Sequence, residues 1–379
     1  MENILITGGA GFIGTRLTEK LYKKGYNITV LDNLSEQVHG PDPSESLNRI
    51  KLKCKFIHGD VRSSEDWEKA IKNQDIIVHL AAETGTGQSM YKIGRYTEVN
   101  VMGISIMLDV LSNNNHSVKK IVLSSSRSIY GEGKYSSNNY GVVYPSERKN
   151  IDISSNIWDL RCEETGQLLD LLPTDENSKA HPSSLYGMNK KHQEDILILM
   201  SKTLNIDAVI LRYQNVYGPG QSLINPYTGI LSIFSTQILN NNDIEVYEDG
   251  LQTRDFVYID DVVEATVLSI ESDEASGKIF NVGSGEATTV KEVADLLKIL
   301  YDSDINIKVT GKYRHGDIRH NYADISKIKK HLSYLPKYDF ETGIKEFVKW
   351  VLTQKVNDDN YNKSLEELLE KGLIINKLK

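Results

Sequence analysis

Short runs of apolar residues recur through the first half of the chain, each followed by polar sequence with apolar positions at helical spacing. Ile4 to Ile6 is the first run. Ile28 to Leu31, Lys55 to His58, Ile76 to Ala82, Ile121 to Leu123 and Ala208 to Leu211 follow. Such runs, bounded by Gly, Asp, Asn and Ser, predict strands buried on both faces. The segments between them predict helices from about 12 to 24 (with Gly25 as the stop), from 96 to 111 and from 186 to 204. Strand and helix alternate, so the fold class is α/β, with a doubly wound parallel sheet.

After Leu211 the alternation lapses. Breakers such as Gly218-Pro219-Gly220 and Asn225-Pro226 predict a smaller α/β lobe over the carboxyl edge of the sheet. The expected division is 1–212 for the first domain, 213–352 mainly for the second lobe and 353–379 for a helical tail. Within the first domain, 131–184 reads as a long irregular insertion, a length usually kept for function. Cys162 in it has Thr165 where a second knuckle cysteine would stand, so no metal site is expected there.

Composition narrows the classes. With 379 residues, 39% hydrophobic and 25% charged, the chain reads as an ordinary globular protein. No apolar run approaches the ~20 residues that span a bilayer, and no signal peptide precedes the first strand. Cys54 and Cys162 are too few for a disulfide framework and point to a reducing, cytoplasmic setting. A net charge of −8 disfavours nucleic acid and anionic membranes as partners.

Candidate chemistry begins where the first strand ends, at Thr7-Gly8-Gly9-Ala10-Gly11-Phe12-Ile13-Gly14. Glycines at 8, 11 and 14 allow a tight turn, a close approach to a pyrophosphate and packing of the next helix, whose N-terminus favours phosphates. Asp32 ends the second strand 18 residues beyond Gly14, a spacing that suits a carboxylate gripping an adenosine ribose. It would also repel a 2′-phosphate, so the expected cofactor is NAD. Tyr186 and Lys190 stand four apart and share one helix face. An ammonium and the positive nicotinamide would favour the Tyr186 phenolate, and Ser126 would orient a reacting hydroxyl.

These motifs, with Gly59-Asp60-Val61, His79-Leu80-Ala81-Ala82, Asn100 before Gly103, and Ser124 to Gly131, resemble the NAD-dependent sugar epimerase/dehydratase family of extended short-chain dehydrogenases/reductases. The resemblance runs from residue 1 to about 350. It implies a Rossmann-type sheet and a catalytic set of Ser126, Tyr186 and Lys190. It also implies NAD contacts from Gly8, Gly11, Phe12, Ile13, Gly14, Asp32 and Asn33, with Asp60 and Val61 flanking the adenine. Leu80, Ala81, Ala82, Asn100 and Ser124 join them, with Lys190 on the nicotinamide ribose and Tyr213 near the nicotinamide. Asn215, Arg254 and Arg314 match segments that contact a sugar diphosphate, as guanidinium forks suit. Thr84, Gln88, Ser89 and Arg127 are candidates to face the sugar. The family's 4,6-dehydratases have an Asp-Glu pair after the fifth strand; here Arg127 and Ser128 stand there, which argues against dehydration. Longer strings, among them Ala82 to Ser89 and Gln214 to Gly229, resemble the dTDP-L-rhamnose 4-epimerases. A UDP-hexose or UDP-N-acetylhexosamine 4-epimerase is the alternative, and a non-catalytic dinucleotide sensor a more distant one. The resemblance further implies a homodimer packed through the 96–111 and 186–204 helices.

Overall fold

The computed structural model describes residues 2–225, 227, 229–355 and 361–375. Seven strands form the main sheet: β1 (Asn3–Thr7), β2 (Asn27–Asp32), β3 (Lys55–His58), β4 (Ile76–His79), β5 (Lys120–Ser126), β6 (Asp207–Tyr213) and β7 (Ile279–Val282). Their order is β7-β6-β5-β4-β1-β2-β3, and every pairing is parallel. Strand order reverses between β1 and β4, and the crevice beyond those carboxyl ends is where such sheets take ligands.

Successive strand residues point to opposite faces, which splits the core in two. Ile4 and Ile6 pack with Leu17 and Leu21 of α1 (Phe12–Lys23). Leu5, Ile77 and Leu123 face the other way, against Trp67, α2 (Gly103–Asn113) and α3 (Leu185–Leu204). On the first face, α4 (Ile259–Glu271) lies beside α1 and joins the sheet to the second lobe.

The expected strands are present, with shifted ends. The fourth stops at His79, so Leu80 to Ala82 become loop. The helix expected over 96–111 begins at Ile93 and continues through a π-helical turn, Glu98–Met102, into α2. β7 was not among the expected strands: its four residues come from the far side of the second lobe and complete the first domain's sheet. The insertion is also more ordered than expected. It holds a small antiparallel sheet of Tyr135–Ser137, Gly141–Val143 and Asp170–Leu171, and a helix, Asn150–Ser154. The tail forms α5 (Tyr361–Glu370) and then a short strand, Ile374–Ile375. Residues 356–360 and 376–379 of the expected tail, and Pro226 and Thr228, lie outside the described residues. Among the described residues no helix is long and apolar enough to cross a membrane.

Two buried ionic groups tie these parts together. Arg212 of β6 forms a two-pronged pair with Glu194 of α3, at 2.9 and 2.7 Å, and also donates to the Tyr130 hydroxyl and the Glu176 carbonyl. The second group anchors the insertion. Arg319, with no exposed surface, donates to Asp159 at 2.8 Å, Glu248 at 2.9 Å and Asp249 at 2.7 Å. Arg148 donates to Glu248 at 2.9 Å and lies 3.3 Å from Glu132. Burial pushes the Glu132 carboxyl up to about 7, against the pull of Arg148. Removing one member of such a cluster strands the rest as uncompensated buried charge. Arg319→Leu is expected to lower unfolding free energy by about 3–5 kcal/mol in urea titration; a loss under about 1 kcal/mol would contradict this account.

Candidate active site

The carboxyl ends of β1, β4, β5 and β6 open into a continuous cleft that runs from the glycine loop to the second lobe. At its first end, Gly8 has φ +67° and packs so close to the next strand's loop that a Cβ would lie 2.8 Å from the Ala81 nitrogen. A Cβ on Gly14 would meet the Gly8 carbonyl oxygen at 2.4 Å. Gly11 caps α1 without a side-chain hydrogen bond, leaving the helix's first amides for an anion. Asp32 lines the cleft while its carboxylate accepts the Ala10 N–H at 3.0 Å and the Leu34 N–H at 2.8 Å, fixing the loop to β2. Phe12, Ile13, Asn33, Val61, Leu80 and Ala81 also line this part, as does Ala82. The bare backbone cradle, its free helix amides and the carboxylate beyond fit a dinucleotide.

Two expected cofactor residues are placed differently. Asp60 is not on the cleft; its carboxylate takes hydrogen bonds from Arg62 and Asn33. Burial would raise its pKa, but those bonds outweigh it and hold the group at about 2. Asn100 is fully buried, and its amide spans the Glu83 backbone, accepting from the N–H at 2.9 Å and donating to the carbonyl at 3.0 Å. It shapes the loop after β4 from behind. Tyr213 does line the cleft, with its hydroxyl turned to Thr266 at 2.7 Å.

The proton-handling groups meet at the middle of the cleft. Ser126 ends β5, and its Oγ accepts the Ser128 N–H at 3.2 Å. Ser184 caps α3 by accepting the Gly187 N–H. Gly187 lets α3 lie against the turn after β5, since a Cβ there would stand 2.4 Å from the Ser128 carbonyl oxygen. That close approach brings Tyr186 beside Ser126 on the cleft wall, near enough for Ser126 to act on the phenol. Lys190, one turn on, donates to the Ser124 carbonyl at 2.9 Å, its ammonium 6.0 Å from the centre of the Tyr186 ring. Burial brings the Lys190 ammonium down to about 7, opposed by Glu194. Burial likewise raises the Tyr186 phenol, and Ser126 and Arg127 only partly offset it. The expected lowering by Lys190 is therefore not what the protein's own groups produce.

Beyond Tyr186 three arginines, Arg127, Arg254 and Arg314, line the cleft, with Asp317, Glu245 and Glu248 on the same walls. Among the described residues the buried Nη1 of Arg127 has no hydrogen-bond partner. Burial, then the nearby Arg254, brings its pKa down to about 9. Arg254 donates to the carbonyls of Thr253, Ile318 and Arg319. Arg314 is paired to Asp317 at 3.0 Å. Among the described residues, Asn215 Oδ1 and both amide atoms of Gln214 are buried without hydrogen-bond partners, and both residues line the cleft. Enclosed cations and unsatisfied polar atoms are costly unless a ligand completes them. This stretch fits a polyanionic ligand with several hydrogen-bonding groups.

The candidate sugar-facing residues divide. Thr84 and Arg127 line the cleft. Gln88 and Ser89 do not: Gln88 exchanges hydrogen bonds with Gln37 and accepts from Tyr96. Ser89 accepts the Tyr186 N–H at 3.1 Å and donates to the Thr86 carbonyl. Ser89 thus holds the 84–89 loop to α3, and Gln88 holds it to Gln37 and Tyr96. Tyr247, Glu248, Tyr361, Ser364, Leu365 and Leu368 line the cleft unanticipated. No spacing rule marks them, because they arrive from distant parts of the chain.

The chain belongs to the NAD dependent epimerase/dehydratase family, which matches residues 4–148 and 162–283. It is an enzyme of the extended short-chain dehydrogenase/reductase class, its cofactor is NAD, and epimerases, which are isomerases, are among its relatives. A dTDP-L-rhamnose 4-epimerase of Burkholderia thailandensis is 36% identical over 355 residues, covering 92% of this chain and 95% of that one. A UDP-glucose 4-epimerase of Thermotoga maritima, solved with UDP-glucose, is 30% identical with a TM-score of 0.74, covering 92% of this chain and 98% of its own. A UDP-glucuronic acid 4-epimerase of Bacillus cereus, solved with UDP-glucuronic acid and NAD, is 25% identical with a TM-score of 0.74, covering 92% and 99%.

The glycine cradle gives a direct test. Gly14→Ala is expected to weaken NAD binding by about tenfold to a hundredfold, as overpacking of about 1–3 kcal/mol implies. Titration of the purified protein with NAD reads it, and an unchanged affinity would refute the role given to the cradle.

Proposed function

We propose that the protein is a nucleotide-sugar 4-epimerase that interconverts dTDP-L-rhamnose and dTDP-6-deoxy-L-talose. The observation that carries this reading is the meeting of Ser126, Tyr186 and Lys190 beside an arginine-lined stretch, with Arg127 and Ser128 where dehydration would need carboxylates. Tyr186 removes the proton from the hydroxyl on carbon 4, and Ser126 orients that hydroxyl. NAD supplies reversible hydride transfer at the same carbon. The 4-keto sugar turns over within the cleft, and the proton returns from Tyr186 when the opposite face is presented. Gly8, Gly11 and Gly14 would hold the cofactor's pyrophosphate, Asp32 and Asn33 its adenosine ribose, and Lys190 its nicotinamide ribose. A positive nicotinamide beside Tyr186 would oppose the burial that raises its pKa.

Arg254, Arg314 and Asn215 would take the sugar diphosphate and Arg127 would face the sugar, with 1–212 mainly for the cofactor and 213–352 mainly for the substrate. The 36% identical dTDP-L-rhamnose 4-epimerase supports the choice of sugar. A UDP-hexose is the second reading, favoured by the 30% identical relative solved with UDP-glucose. A cytoplasmic homodimer completes the proposal: Met102, Met188 and Leu199 are exposed apolar residues on the two helical segments that would pair.

Incubation with dTDP-L-rhamnose and, separately, UDP-galactose, without reductant, tests substrate and reaction by NMR of the sugar signals. A 4-epimer from the dTDP sugar alone is expected; turnover of the UDP sugar alone would discard the substrate and keep the mechanism. Tyr186→Phe is expected to lower kcat by about 10²- to 10⁴-fold with NAD still bound. Near wild-type turnover would sink the role of Tyr186.

A further inference from the structure

The insertion and the carboxyl-terminal tail have no part in the chemistry proposed above, yet both converge on one short strand, Tyr313–Arg314. On one side it pairs antiparallel with Ile374–Ile375, Arg314 opposite Ile374, and the His315 N–H donates to the Leu373 carbonyl at 2.9 Å. On the other side the insertion takes hold. The Tyr313 hydroxyl donates to Asn150 at 2.7 Å, and Arg148 donates to the Asp317 carbonyl at 3.0 Å. Ile153 and Trp158 of the insertion, Tyr313 and Ile375 of the tail's strand form a separate apolar cluster. The strand that carries Arg314 is thus gripped from both sides by segments distant in sequence.

The helix before that terminal strand faces the cleft. Tyr361, Ser364, Leu365 and Leu368 of α5 line it. Glu367 tethers the helix: one carboxylate oxygen accepts from the Tyr91 hydroxyl at 2.8 Å and from the Tyr227 hydroxyl at 2.5 Å. The Tyr361 and Tyr247 hydroxyls are hydrogen-bonded at 2.9 Å. Leu368 and Arg314 both close on Gly87, where a Cβ would sit 3.5 Å from one and 3.3 Å from the other. Arg314 lines the cleft and engages Asp317 through Nε and Nη2, with its Nη1 beside Gly87.

We propose that α5 and the insertion form a two-sided clamp that positions Arg314, with α5 itself the outer wall of the diphosphate compartment. The proposal rests on the nucleotide-sugar reading for the identity of the anion. Arg314 acts at the ligand; Glu367 and Asn150 are positioning residues. Holding a guanidinium in place matters because its fork binds phosphate oxygens only in a narrow set of orientations. A wall of Leu and Tyr side chains also removes water from around the ion pair, which strengthens it.

The test is a binding comparison on the full chain, with dTDP, UDP and NAD titrated calorimetrically into wild type, Glu367→Ala and Leu368→Ala. Expected is about a tenfold loss of nucleoside diphosphate affinity in Glu367→Ala, on the scale of one charge-assisted tether. NAD affinity should stay within about twofold, since the cofactor cradle lies at the other end of the cleft. If Glu367→Ala fails to fold, Leu368→Ala carries the comparison, with the same selective loss expected. Nucleoside diphosphate affinity within about twofold of wild type would overturn the clamp, as would an equal fall in NAD affinity. The two readings fail separately. Wild type that binds a nucleoside diphosphate through α5 yet epimerises no sugar overturns the proposed reaction and keeps the clamp, whereas wild type that binds no nucleoside diphosphate overturns both.

Discussion

The buried pair of Arg212 and Glu194 fixes the geometry on which the site depends. Arg212 belongs to β6 and Glu194 to α3, and Ser125 of β5 donates to the same carboxylate. The Tyr130 hydroxyl accepts from Arg212 and donates to Asn281 of β7. One ion pair therefore links three adjacent strands to the helix that carries Tyr186 and Lys190. A fork–fork pair tolerates little sliding or rotation, so the position of α3 relative to the end of β5 is set from beneath. Gly187 sets it from above, by contact with the Ser128 carbonyl. Between these two constraints Tyr186 is held on the cleft wall beside Ser126.

What local sequence encodes was legible, and what distant pairing encodes was not. Ile4 to Ile6 and Ile121 to Leu123 announce buried strands because a strand covered on both faces needs an unbroken apolar run. The glycine cradle was legible because its spacing reflects contacts between near neighbours, such as Gly14 against Gly8. β7 was not: Ile279-Phe280-Asn281-Val282 is short, and only its pairing with β6 makes it part of the sheet. Asn100 and Asp60 carry motif signatures, but the motif is silent on direction; one braces a loop and the other an arginine. Gln88 and Ser89 likewise spend their hydrogen bonds on protein, which no single-sequence pattern distinguishes from facing a ligand.

Electrostatics separates the cleft into two regions that the net charge of −8 conceals. At the glycine end the protein offers amide dipoles and a carboxylate. At the other end burial lowers the pKa of both Arg127 and Arg254, and Arg254 lowers that of Arg127 further. Two cations held together out of water are unfavourable in the free protein. An anion there would relieve them, so part of the affinity for the proposed diphosphate would be stored as repulsion before it arrives. The buried amide of Gln214, without a partner among the described residues, would store desolvation in the same way.

The antiparallel pairing of Ile374–Ile375 with Tyr313–Arg314 sets the last described strand directly against the one that carries the cleft's Arg314. A disturbance of segment 361–375 is consequently transmitted to that arginine. The first described strand, Asn3–Thr7, meets the cleft only through the loop that follows it. The first and last strands are therefore not equivalent handles: one is part of the scaffold, and the other is sewn into the wall of the site.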